Sequence, residues 1–71
     1  MLEDGTYDVV VIDAEEAAGG VHVELTVLAG PHKGEVVALT AAGLARDPLD
    51  LLAAPGTLTV AGGVPRLALE G

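Results

Sequence analysis

Residues 21–29 read VHVELTVLA. Val21, Val23, Leu25 and Val27 take every second position, and His22, Glu24 and Thr26 take the alternates. Side chains of a strand point to opposite faces with a period of two. The stretch is therefore expected to be a strand with one buried and one solvated face. Leu28 falls on the polar side and is expected to be exposed.

The neighbouring segments extend the same reading. After residues 21–29, the run GPHKG (30–34) is a turn: Pro31 presets φ, and Gly30 and Gly34 permit positive φ. EVVALTA (35–41) then returns as a second strand of the hairpin. Before it, TYDVVVID (6–13) is rich in β-branched residues and reads as the first strand. AEEAA (14–18) is a helical-looking run too short to stand alone, so it is expected to form the polar tip of a hairpin ended by Gly19 and Gly20.

After residues 42–45, Asp47 is placed as a helix N-cap, Pro48 at the first helical position and Asp50 in the first turn. The spacing predicts about two turns over 48–54, with Leu49, Leu52 and Ala53 on one face. Pro55-Gly56 stops that helix. TLTVA (57–61), with Leu58 and Val60 inward, and VPRLALE (64–70), with Leu67 and Leu69 inward, flank a Gly62-Gly63 turn. Pro65 puts the start of the last strand at a sheet edge.

The element order is thus β-β-β-α-β-β in one domain spanning 1–71, a mainly β chain. Over its whole length it resembles the OB-fold, a small five-stranded Greek-key barrel with a helix between strands three and four. Gly5, Gly30, Gly34 and Gly56 fall at strand ends, where such barrels bend. The hairpin VLAGPHKGEVVAL (27–39) resembles the strand–turn–strand of KOW-type SH3-like barrels, so SH3-like closure is the alternative architecture. That resemblance implies binding to RNA or to ribosome-associated proteins. The segment departs from it in lacking a further Gly after Gly34 and in offering Lys33 as its single Lys or Arg. The same hairpin is similar to that of phage-type single-strand DNA-binding OB proteins.

Composition narrows the functional classes. The chain has 71 residues, 3 Lys+Arg against 11 Asp+Glu, and a formal charge of −8. That charge repels polyanions and anionic membranes and favours neutral or basic partners. Cys, Ser, Asn, Gln, Phe and Trp are absent, and Tyr7 is the single aromatic residue of the Phe/Trp/Tyr class. Disulfides, thiolate or serine nucleophiles and side-chain amide oxyanion donors are excluded. No catalytic residues and no cofactor are expected. The start, MLEDG, is acidic where a secretory signal carries a basic region, and no apolar run is long enough to span a bilayer, so a cytoplasmic protein without membrane attachment is expected.

Few constellations carry chemistry. His22, Glu24 and His32 are the candidate metal ligands, but His32 sits at the hairpin tip, about seven residues beyond Glu24 at roughly 3.3 Å each. A shared ion requires a second chain, and ordinary solvated side chains are the simpler reading. Asp13, Glu15 and Glu16 crowd one hairpin end without EF-hand spacing. His32 and Lys33 in GPHKG lack the length and the following helix of a P-loop. For nucleic acid, the outward positions His22, Glu24, Thr26 and Leu28 supply little to stack on a base.

The resulting expectation is a non-enzymatic acidic barrel that acts as a protein-interaction or accessory module and associates with itself or a protein partner. Val10 and Ile12 face away from Val9 and Val11, so strand one is apolar on both sides. Val10, Ile12, Leu28, His32 and Lys33 are the expected interaction surface. A single-stranded nucleic-acid binder of the OB or KOW kind and a metal or small-ligand carrier are the alternatives.

Overall fold

A computed structural model describes residues 2–41 and 47–70. Five strands form one antiparallel sheet: β1 (Gly5–Ala17), β2 (Gly20–Val27), β3 (Val36–Ala41), β4 (Pro55–Ala61) and β5 (Val64–Leu69). A short helix, α1 (Pro48–Leu51), lies between β3 and β4. The strand order is β3-β2-β1-β4-β5, and the sheet curls into a half-barrel. The connection over 42–46, which includes Arg46, lies outside the described residues.

The alternation of residues 21–27 is realised throughout β2. Val21, Val23, Leu25 and Val27 are all buried, with Val23 and Leu25 fully so. Val9 and Val11 of β1, Leu58 and Val60 of β4, Leu51 of α1, Leu2 and Ala54 complete the core with them, and Leu67 and Leu69 pack partly against it. Apart from Ala54 these core residues are Val or Leu, which suits a thin layer closed by branched aliphatic side chains.

Four expectations need correction. Residues 14–17 are not a hairpin tip; β1 continues through them, pairing Ala14 with Val23 and Ala17 with Gly20. A bulge at Ile12 makes this possible: Val11 pairs with Leu25 and Asp13 with Glu24, so the extra residue shifts Ala14 to the inner face. The helix has one turn, not two. Asp47 caps it by accepting from the Leu49 backbone N–H at 3.0 Å. Leu52 is already extended, and the Ala53 N–H donates to the Val11 carbonyl at 2.8 Å while the Val11 N–H donates to Ala54 at 3.0 Å. The sheet thus claims the backbone that a second turn needs.

Consequently the apolar face expected from Leu49, Leu52 and Ala53 is not the one that meets the core. Leu51 is fully buried, whereas Leu49 is 76% exposed and Leu52 is exposed too. Finally, the five-stranded barrel with its helix between strands three and four is present, but as a half-barrel and not a fully closed one. Among the described residues, β3 and β5 are the two edges of the sheet and do not pair with each other. Pro65 does lie on an edge strand, where a missing N–H costs no ladder bond.

Candidate functional site

The outer face of the half-barrel follows from the register. Val36, Thr26, Val10 and Pro55 stand opposite one another across β3, β2, β1 and β4. Paired residues share a face, so these four form an uncharged transverse stripe. Ile12 (47%), Leu28 (45%) and Val36 (59%) are exposed large apolar residues, as is Val64 at the β4–β5 hairpin. Val10 is half-buried. Of the expected interaction residues, Val10, Ile12 and Leu28 thus belong to the β1–β2 part of the sheet.

His32 and Lys33 do not join them. They occupy the 30–34 turn, where Gly30 and Gly34 both have positive φ and the Lys33 N–H donates to Gly30 at 3.1 Å. His32 pairs with Glu35 through Nδ1 and Oε2, and its ring lies edge-on to Tyr7 at 5.9 Å between centroids. Tyr7 donates in turn to the Glu3 carbonyl. These contacts tie the β2–β3 turn to the N-terminal segment.

The metal candidates separate in the same way. His22 and Glu24 share the outer face of β2, with His22 near the Thr40 hydroxyl at 3.4 Å. His32 is engaged by Glu35 instead. Among the described residues, no group of three His, Asp or Glu side chains is arranged to hold an ion.

Charge is concentrated beyond the stripe. Asp13 stands directly opposite Glu24, and Glu15 opposite His22. Two carboxylates in register repel. Glu24→Lys is therefore expected to raise stability by up to about 1 kcal/mol, an increase of several degrees in Tm for a domain of this size. The gain should shrink as salt is added. Thermal melts at low and high ionic strength check this; an unchanged or lower Tm at low salt contradicts the register.

One polar contact escaped sequence reasoning. The Asp4 carboxylate accepts from the Gly62 and Gly63 backbone N–H groups at 3.0 and 3.2 Å. It clasps the β4–β5 turn, in which both glycines have positive φ. No local signal links residues 58 positions apart.

A cleft of about 290 Å³ opens between β3 and the β4–β5 hairpin, lined mainly by Leu2, Val36, Val37, Ala38, Val60 and Pro65. It is the gap where the half-barrel stays open. Its walls are apolar apart from backbone and Glu35.

No family model, curated protein or solved structure matches this chain. The site must be read from its own chemistry.

Proposed function

We propose that this chain is a non-enzymatic, acidic interaction or accessory module that associates with a second copy of itself, on an OB-like half-barrel. The observation that carries the reading is the uncharged outer stripe Val36–Thr26–Val10–Pro55 beside exposed Ile12 and Leu28, on a chain of net charge −8. Apolar side chains left in water side by side favour association. A domain this small also gains from burying more surface between copies. The charge then limits where contact occurs, because acidic surfaces repel each other. Base recognition finds less support: the outer face of β2 presents His22, Glu24 and Thr26, with Asp13 opposite Glu24.

Sedimentation velocity over a concentration series tests the reading. A mass rising towards twice 7.0 kDa supports it. A monomer throughout, up to concentrations of about 1 mM where weak contacts still register, contradicts it.

A further inference from the structure

The sheet leaves three stretches of strand edge unpaired among the described residues: β3, β5 and the end of β1 beyond its pairing with β4. An unpaired edge is a template for another strand, and proteins blunt such edges with charge, proline or cover. Two of the three are blunted. The β1 stretch carries Asp13, Glu15 and Glu16. β5 carries Pro65 and Arg66. β3 reads VVALTA, with neither charge nor proline, and Val36 and Ala38 line the open cleft whose other wall carries Leu2, Gly63 and Pro65.

The backbone of β3 is also suitably directed. The Glu35 carbonyl accepts from Val27 at 3.0 Å, so residue 35 faces β2. Antiparallel alternation then turns Val37, Leu39 and Ala41 towards β2 as well. Val36, Ala38 and Thr40 present their N–H and C=O groups to the free edge.

Resting on the self-association reading above, we propose that two copies join by antiparallel pairing of β3 with β3, about a two-fold axis through Ala38. In this register Ala38 meets the partner's Ala38, exchanging two hydrogen bonds. Val36 meets the partner's Thr40 and exchanges two more, and the reciprocal pair repeats them. Val37 faces the partner's Leu39 on the inner side. Both stay on matching faces, because an antiparallel pair centred on one residue keeps each side chain opposite one of its own face. Glu35 falls opposite the partner's Ala41, so no carboxylate of the strand meets another. The result is a continuous ten-stranded sheet. The contact is isologous and uses the neutral edge of each copy, the one such edge among the described residues, so it closes at a dimer and does not propagate into a fibre.

Ala38 provides the test. Its N–H faces the free edge, so Ala38→Pro removes both central donors while leaving the β2–β3 ladder intact. Ala38→Lys places two like charges across the axis, yet changes the chain's net charge from −8 to −7, which eases general repulsion. Sedimentation and circular dichroism of the parent, both variants and Ala68→Lys, on the outer face of β5, are compared. The expected result is a parent dimer, dissociation of both Ala38 variants at least about tenfold easier, retained strand signal, and Ala68→Lys like the parent. A dimer unchanged by Ala38→Lys overturns the edge while leaving self-association standing. Equal weakening by Ala68→Lys overturns it too, moving the contact to the outer face. If Ala38→Pro does not fold, Ala38→Lys decides alone. A monomeric parent removes the edge together with the reading beneath it.

Discussion

Leu51→Ala is expected to destabilise the protein by about 2–5 kcal/mol, while Leu49→Ala changes stability by at most about 0.5 kcal/mol. Leu51 is fully buried against the barrel core, and Leu49 is 76% exposed two residues earlier. A chain of 71 residues has on the order of 4–10 kcal/mol of stability in all. Removing the single buried side chain of α1 therefore consumes much of it. Urea unfolding of the two variants gives the comparison. Equal losses, or a larger loss at Leu49, contradict the placement of the helix.

Gly56→Ala is the second large effect. Gly56 is buried in β4 between Val9 of β1 and Leu69 of β5. A Cβ there would lie 2.8 Å from the Ala68 carbonyl oxygen and 2.8 Å from Leu69 Cδ2. The leucine methyl can swing aside. The carbonyl is part of the strand paired with β4 and cannot move without parting the two strands. Such overpacking costs about 1–3 kcal/mol, or roughly 5–20 °C in Tm for a domain of this size. Combining it with Leu69→Ala should not restore stability, because the backbone oxygen remains. A Gly56→Ala protein as stable as its parent would place β4 and β5 further apart than described.

These two positions also mark what a sequence reveals and conceals. Period-two patterning in residues 21–27 is long, and a one-residue slip would expose every valine, so the strand and its buried face were legible. Leu28, outside that pattern, was legible as exposed for the same reason. The helix face was not. A pattern of three and four needs two turns to declare itself, and Pro48–Leu51 is one. The contest between a second turn and the β1 backbone at Val11 is settled by tertiary hydrogen bonds that no local pattern carries.

The bulge at Ile12 is a further instance. AEEAA has good helix formers, yet Val21 and Val23 across the hairpin hold the segment extended. Propensity yields here to pairing. Of the expected interaction residues, the outward placement of Val10, Ile12 and Leu28 is legible from alternation alone, because a side chain next to a buried neighbour in a strand faces out. The neutral edge was not foreseen. VVALTA reads as a strand, but which of its sides is free depends on the order β3-β2-β1-β4-β5, and so on contacts far apart in the chain. The openness of the roll between β3 and β5 has the same origin.

The proposed dimer fills the outer edge of β3, which is unpaired among the described residues. Residue-resolved amide hydrogen exchange at low and high protein concentration addresses it directly. In dilute solution Val37, Leu39 and Ala41 should exchange slowly, held by β2, while Val36, Ala38 and Thr40 exchange fast. In concentrated solution those three should become protected as well. Protection of all six amides at every dilution, or three that stay fast however concentrated the sample, would contradict pairing at the β3 edge.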